Sequence, residues 1–306
     1  MPTINLTVLP SGLFVGRDLY LQGCIGLTTL PDGLSVEGNL SLSRCTSLIA
    51  LPDGLSVGGD LSLWGCTNLT ARPDDLSVGG NLSLRGCTGL TVIRPSLSVG
   101  DNLHLDGCTS LTALPASLSV GGNLYLDGCA SLTALPNMLH VAADLHLNHC
   151  TSLTNLLNNL TVYSGLHLCS CTALTNLHDN LVVCQDLNLR DCSRLMRLSD
   201  DLVVGGDLNL AACASLQRLP EGLYIPGRLY LNGCSALSTL PERLSVGDWL
   251  DLQGTQVAAL PAAAWVLDHI NGVSLTDARA LVYGFVCWRQ LSLMAAANEL
   301  SSNREY

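Results

Sequence analysis

The chain has 306 residues, of which 48% are hydrophobic and only 13% charged, and its formal net charge at pH 7 is −11. Nucleic acids and anionic membranes attract clustered Lys and Arg, so this balance argues against both as partners and favours a basic protein surface. The first residues lack the basic start and continuous apolar run of a signal peptide, and no apolar run reaches membrane-spanning length.

From Leu9 onward the chain repeats one phrase every 21 residues, in eleven full copies and a shortened copy from Leu240 to Ala259. A unit this short cannot bury its own apolar side and does so by stacking on its neighbours, so we predict a solenoid. One cysteine per copy marks the period: Cys24, Cys45, Cys66, Cys87, Cys108, Cys129, Cys150, Cys171, Cys192, Cys213 and Cys234.

The core of the unit, Leu40-x-Leu42-x-x-Cys45-x-x-Leu48, resembles the leucine-rich repeat pattern, and the resemblance covers roughly 85% of the chain. The added Leu51-Pro52 step and the short period look like the bacterial class of these repeats, similar to the leucine-rich segments of type III secreted effectors and their ubiquitin-ligase relatives. The resemblance implies a horseshoe with one long parallel β-sheet on its concave face, where a partner protein binds.

The segment before each cysteine alternates as a strand does. In the copy that we use as reference, Leu61 and Leu63 are predicted to point inward and Ser62 outward. The preceding Gly58-Gly59 pair supplies the turn into the strand. Stacked copies of this strand form the predicted parallel sheet.

The other side of the unit is predicted to be extended and polyproline-like, starting at Leu51-Pro52, because the fixed φ of proline suits such a backbone. The alternative fold is a three-sided parallel β-helix, since Leu48 to Leu51 and Leu55 to Val57 could also be short strands. A curved solenoid would favour the leucine-rich repeat and a straight one the β-helix.

The two ends of the chain differ. Leu6 aligns with the end of a repeat and no polar cap precedes it, which favours a fragment of a longer gene product or pairing with another chain there. At the other end we predict a helical cap over residues 260–306, following a solenoid over residues 1–259. The pattern from Ser274 to Asp277 predicts a capping box. The apolar residues that follow lie on one face of the predicted helix: Leu281, Phe285, Trp288 and Leu291.

Eleven of the fourteen cysteines occupy one position of the repeat, so they are predicted to be reduced and buried as small apolar side chains. A ladder of equivalent positions has no pairing pattern for disulfides, and the spacing lacks the paired knuckles of a structural zinc site. Reduced thiols indicate a reducing, intracellular compartment, including a host cytosol into which a secreted effector is delivered.

Outward positions of successive strands line up in columns along the solenoid axis. The column between the two strand leucines holds Tyr20, Ser41, Ser62, Ser83, His104, Tyr125, His146, His167, Asn188, Asn209, Tyr230 and Asp251. The column beside it holds Trp64, Arg85, Asp106, Asp127, Asn148, Cys169, Arg190 and Asn232. The alternative to a binding surface is that these are solvated positions free to vary.

Tyr, Trp and Arg dominate binding energies at interfaces. We therefore predict that a protein partner, of basic character, binds the concave face through Trp64, Arg85, His104, Asp106, Tyr125, Asp127, His146, Asn148, His167, Arg190 and Tyr230. A third column lies before the strand and is expected to satisfy backbone groups of the turn rather than to bind calcium. It includes Asp18, Asn39, Asp60, Asn81, Asn102, Asn123, Asp144, Asp186 and Asp207.

No cofactor, metal ion or enzymatic activity is predicted. His146, His167 and Cys169 could begin a zinc site, but no acidic residue is implied behind them. No hydrolase elbow, P-loop or HExxH motif occurs. The ligases that the repeats resemble use a Cys-x-Asp motif, and Cys184-Gln185-Asp186 has those letters at a turn of the repeat, which we interpret as coincidence.

The sequence thus predicts a non-enzymatic recognition module, in the setting of a bacterial secreted effector. The alternative is the substrate-recognition part of an effector E3 ubiquitin ligase that lacks its catalytic domain.

Overall fold

The computed structural model describes residues 6–70, 76–93, 97–271 and 273–274, and every regular element among them is a β-strand. The chain divides into two compact units, residues 1–157 with 162–164, and residues 158–161 with 165–306. Both units are β-solenoids built from the 21-residue repeat, and each is described by itself.

One turn of the solenoid carries two short strands separated by a tight corner. In the reference copy these are Ser56–Val57 and Leu61–Ser62, with the Gly58-Gly59 pair between them. A Cβ on Gly58 would collide with the carbonyl oxygen of Glu37 in the preceding turn, so there is no room for a side chain at this position of the reference corner.

In chain order, the strands of the first unit are β1 (Phe14–Val15), β2 (Leu19–Tyr20), β3 (Ser35–Val36), β4 (Leu40–Ser41), β5 (Ser56–Val57), β6 (Leu61–Ser62), β7 (Ser77–Val78), β8 (Leu82–Ser83), β9 (Ser98–Val99), β10 (Leu103–His104), β11 (Ser119–Val120), β12 (Leu124–Tyr125), β13 (His140–Val141) and β14 (Leu145–His146). The odd-numbered strands pair in parallel as one seven-stranded sheet, which we call the first sheet. The even-numbered strands form the second sheet, and each residue pairs with the residue 21 positions along, as Leu61 does with Leu82.

The remaining strands are β15 (Thr161–Val162), β16 (Leu166–His167), β17 (Val182–Val183), β18 (Leu187–Asn188), β19 (Val203–Val204), β20 (Leu208–Asn209), β21 (Tyr224–Ile225), β22 (Leu229–Tyr230), β23 (Ser245–Val246), β24 (Trp249–Asp251), β25 (Trp265–Val266), β26 (His269–Ile270) and β27 (Val273–Ser274). In the second unit β16, β18, β20, β22, β24 and β26 pair in parallel in that order. On a second side of this unit β17 pairs with β19, and β21, β23 and β25 pair in that order, all in parallel.

A third side of the repeat carries isolated parallel bridges instead of strands. Thr29 pairs with Ala50 in the first unit, and Asn176, Arg197 and Arg218 pair in succession in the second. The parallel sheet of 21-residue turns is therefore confirmed. The first sheet and these bridges lie on the two sides where the β-helix alternative predicted extra strands.

The core of each turn is a ring of leucines completed by valine and cysteine. Leu61 and Leu63 are fully buried while Ser62 is half-buried, as the alternation predicted. The full inward set of the reference turn is Leu51, Leu55, Val57, Leu61, Leu63, Cys66 and Leu69, each at most 6% exposed. Burial of one such side chain stabilises the fold by about 1.5–3 kcal/mol. Stacking of the turns, which buries these side chains, therefore supplies the driving force for folding.

The polar column before the strand ties each turn to the next. Asp60 Oδ1 accepts the backbone N–H of Asn81 at 2.7 Å, and Asn102 Oδ1 accepts that of Asn123 at the same distance. The pKa of Asp18 is lowered chiefly because its carboxylate accepts the Asn39 N–H, and also the Tyr20 hydroxyl at 2.8 Å. The prediction that this column satisfies backbone groups is confirmed.

The described part of the C-terminal region continues the solenoid. Strand β25 pairs with β23 and β26 with β24, both in parallel, and β27 then turns back antiparallel to β26. Residues 260–271, which the sequence analysis placed in the helical cap, thus build another turn. The described residues contain no helix, and the helix predicted from Asp277 to about Leu300 lies outside them.

Candidate partner-binding face

The outward face of the second sheet changes character along the first unit. Each of its strands projects one side chain outward from between two buried leucines, and the in-register pairing aligns these side chains in a column. Tyr20 is the outward residue of the first turn, and we call the set that follows it the ring column: Ser41, Ser62, Ser83, His104, Tyr125 and His146.

The three rings of the ring column stack on one another. The centroids of His104 and Tyr125 lie 4.5 Å apart with an interplanar angle of 2°, and those of Tyr125 and His146 lie 4.5 Å apart at 20°. This spacing is close to the strand separation of a β-sheet, so parallel pairing itself sets the stack. Asn123 Nδ2 donates to the Tyr125 hydroxyl at 3.2 Å and orients the middle ring.

Asp106 lies beside the first ring and has a buried oxygen without a hydrogen-bond partner. Its Oδ2 is 3.7 Å from Nδ1 of His104, and the Asp106 side chain is only 15% exposed. At 3.7 Å the two atoms form no hydrogen bond, but a protonated imidazole would pair with the carboxylate. Asp106 therefore has a free acceptor at the edge of the ring stack.

A second outward column, which we call the groove column, consists of Trp64, Arg85, Asp106 and Asp127. A groove of about 420 Å³ runs along it, floored by the glycines that follow these residues and ended by an exposed histidine: Gly86, Gly107, Gly128 and His149. Asp127 is anchored, because its Oδ1 accepts the backbone N–H of Asn148 at 2.7 Å. The groove is cationic at the Arg85 end and acidic in the middle.

A recess of about 590 Å³ adjoins the groove over the serines of the ring column. Ser62, Trp64, Ser83 and Arg85 line it, so Trp64 and Arg85 contribute to both the recess and the groove. Ser62 forms its floor, with its hydroxyl 2.8 Å from the hydroxyl of Ser43 in a hydrogen bond.

Arg44 is a member of this surface that the sequence analysis missed. Its guanidinium carbon lies 4.4 Å from the centroid of the Trp64 ring, in a cation–π contact. Arg44 has φ of 60°, at the position where the neighbouring turns have Gly23 and Gly65. A non-glycine residue in this column of left-handed turns was the available sequence signal.

Three of the predicted contact residues lie in the second unit. His167 and Tyr230 are half-buried, and Arg190 is exposed with its Nε 3.2 Å from Asp191 Oδ2. Tyr230 accepts a hydrogen bond of 3.4 Å from Arg228, whose Nε also pairs with Asp248 Oδ2 at 2.9 Å. The cations of this unit are thus partly engaged, whereas the described residues provide no ion pair for Arg85.

One group in the second unit has the donor types of a metal site. Asp248, Asp268 and His269 offer ligand atoms within 4.8 Å of one another. The carboxylate of Asp248 already pairs with Arg228, and the His269 ring stacks on Trp249 with centroids 5.4 Å apart. Ion pairing and stacking therefore account for this cluster.

The cysteines of the repeat are free thiols buried in the core, as predicted. Cys66 Sγ donates to the carbonyl oxygen of Leu42 at 3.2 Å, and burial raises the pKa of the Cys66 thiol to about 12. Cys184 differs because it is exposed, in the corner between β17 and β18. Protonated, buried thiols are poor nucleophiles. Among the described residues the thiols that reagents can reach are therefore the exposed Cys184 and the half-buried Cys169.

Comparison with known proteins gives no assignment, since no family model and no curated protein sequence matches the chain. Within the described residues no helix is long and apolar enough to cross a bilayer.

Proposed function

We propose that the chain is a non-enzymatic recognition module that binds a partner protein on the outward face of its second sheet. The observation that carries the proposal is the change along the ring column from serine to three stacked rings, beside a groove lined by Trp64, Arg85, Asp106 and Asp127. A purely structural repeat does not require this change, because serine already fits the same outward position at Ser41, Ser62 and Ser83.

The proposal also includes the class of repeat and the cellular compartment in which the chain acts. The Leu-x-Leu-x-x-Cys phrase supports a leucine-rich repeat horseshoe of the kind found in bacterial secreted effectors acting in a reducing host cytosol. The first sheet and the third-side bridges support the three-sided β-helix instead. Small-angle scattering separates the two, since a horseshoe gives a curved envelope and a β-helix a straight rod.

The charge of the groove supports a partner with a basic contact residue. Asp106 and Asp127 occupy equivalent positions on successive turns, about one strand spacing (~4.8 Å) apart. A Lys or Arg of the partner placed between these two carboxylates would be attracted by both. The net charge of −11 steers such a partner toward the chain.

The test is affinity capture from host-cell and bacterial lysates with the purified chain and two double variants. His104→Ala with Tyr125→Ala removes the ring stack, whereas Ser56→Ala with Ser98→Ala alters exposed serines of the first sheet. A partner that is lost by the ring variant and kept by the serine variant supports the proposal. A partner that both variants retain equally contradicts it.

The alternative function is the substrate-recognition part of an effector E3 ubiquitin ligase that lacks its catalytic domain, which the repeat phrase supports. Cys184, which is exposed and followed by Asp186, is the residue that would give this chain ligase activity of its own. Discharge of ubiquitin from a charged E2 by this chain, lost in Cys184→Ala and kept in Cys169→Ala, would establish ligase activity in place of simple recognition.

A further inference from the structure

The stack of rings in the ring column ends at His104, because the next position toward the N-terminus is Ser83. His104 and Ser83 are paired in register on neighbouring strands, so a ring at position 83 would lie one strand spacing from His104. Tyr125 covers the opposite face of the imidazole at 4.5 Å. The small Ser83 side chain therefore leaves the next place in the stack open.

The recess lies at that open place. Ser62 and Ser83 are small enough to leave about 590 Å³ above the sheet, and Trp64 and Arg85 form its side. This volume exceeds that of a single aromatic ring. A ring seated over Ser83 would stack on His104, in a recess that Trp64 also lines.

The charges around the recess indicate which chemical group lies next to the bound aromatic ring. Arg85 is exposed, lines the recess and has no ion pair among the described residues. Arg44 lies over Trp64 and adds a second cation nearby. Guanidinium groups pair with carboxylates in fixed geometry, so a negative group next to the bound ring is complementary to this end of the surface.

From these observations we infer that the recess is the anchor pocket of the recognition face, and that it receives an aromatic side chain of the partner with an adjacent carboxylate. The inference rests on the proposed function and gives it a ligand chemistry. The partner segment then continues along the groove, where Asp106 and Asp127 receive a basic residue.

The test uses short probes and needs no knowledge of the partner. The indole N–H signal of Trp64, assigned by its loss in Trp64→Phe, is followed by NMR during titration with the blocked dipeptide tyrosine–aspartate. Blocked tyrosine–lysine keeps the ring and reverses the charge, and blocked alanine–aspartate keeps the charge without the ring. We expect a saturable shift with tyrosine–aspartate and at least fivefold weaker binding of both other probes.

Two variants control the location. Ser83→Tyr places an internal ring on His104 and should abolish the shift. Ser77→Tyr adds the same ring at an exposed position of β7 in the first sheet and should retain binding. Circular dichroism confirms that each variant is folded.

Several results would overturn the inference. Absence of saturable binding, or undiminished binding by Ser83→Tyr, would contradict the anchor pocket. Equal binding of tyrosine–lysine and tyrosine–aspartate would contradict the adjacent carboxylate. Tighter binding of free 4-hydroxyphenylacetate than of the dipeptide would show that the pocket prefers a small aromatic acid to a side chain of a partner protein. Any of these can occur while affinity capture still supports the recognition face, so the two proposals fail separately.

Discussion

The thiol of Cys66 donates a hydrogen bond of 3.2 Å to the carbonyl oxygen of Leu42, 24 residues earlier in the chain. The same contact recurs turn after turn, for example between Cys129 and Leu105 at 3.2 Å. Only a protonated thiol can donate it, so the core requires its cysteines to be neutral. The ladder thus links the chemistry of a side chain to the stacking of the solenoid.

Stability should fall steeply at alkaline pH. Burial raises the folded pKa above the value of about 8.5 for an unfolded cysteine, to about 12 for Cys66. Below pH 8.5 both states hold the proton and the stabilisation is complete. Above it the unfolded state releases protons that the folded state keeps, so each thiol costs about 1.4 kcal/mol of unfolding free energy per pH unit.

Urea unfolding measured from pH 7 to 11 checks this prediction. Among the described residues nine thiols have a raised pKa, so the slope should exceed that of one group several times: Cys45, Cys66, Cys87, Cys108, Cys129, Cys150, Cys192, Cys213 and Cys234. Cys66→Ala should remove one thiol's share of the slope. A free energy that is flat between pH 8 and 10 would contradict the buried ladder.

Thiol labelling should distinguish the exposed cysteine from the ladder. With iodoacetamide at pH 8, we expect Cys184 to react at least a hundredfold faster than Cys66, since one is exposed and the other fully buried. Peptide mapping by mass spectrometry measures both rates in one sample. Denaturation in urea should make them equal, and equal rates in the native protein would show that the ladder opens readily.

The polar column should stabilise the stacking of turns. Asp60→Ala leaves the backbone N–H of Asn81 without its acceptor and should lower the unfolding free energy by about 1 kcal/mol, because the site is exposed and water partly replaces the bond. Asp60→Asn keeps an oxygen at that place and should cost less than half as much. Chemical denaturation provides the comparison, and equal losses would exclude the hydrogen bond as the cause.

Two glycines should respond differently to alanine. Gly86 has φ of 67° with open space around its Cα, so Gly86→Ala should cost about 1 kcal/mol from the backbone conformation alone. A Cβ on Gly79 would collide with the carbonyl oxygen of Gly58, so Gly79→Ala should cost more than twice that amount. Ala212→Gly, at φ of 60°, should stabilise the fold by about 1 kcal/mol. Thermal unfolding of the three variants tests this order.

The periodic leucines and cysteines were sufficient to predict the turn length, the parallel second sheet and the inward position of Leu61 and Leu63. The strand at Ser56–Val57 appeared only as an alternative, because two residues are too few to show an alternating pattern. Sequence also placed His104, Tyr125 and His146 in one column, whereas their stacking depends on ring orientations that no periodicity encodes.

Other features could not be predicted for similar physical reasons. Arg44 contacts Trp64 from a left-handed backbone position, and the repeat pattern marks that position only as a turn. The extra turn at Trp265–Val266 lacks the cysteine of the repeat, which left residues 260–271 outside the predicted solenoid.

The most direct test of the recognition face is the dissociation constant of a captured partner for the wild-type chain and for His104→Ala with Tyr125→Ala. Buried aromatic anchors contribute about 2 kcal/mol or more at interfaces, so we predict at least tenfold weaker binding by the ring variant. The first-sheet variant, Ser56→Ala with Ser98→Ala, should bind within twofold of wild type. Equal dissociation constants for all three proteins would contradict a recognition face on the second sheet.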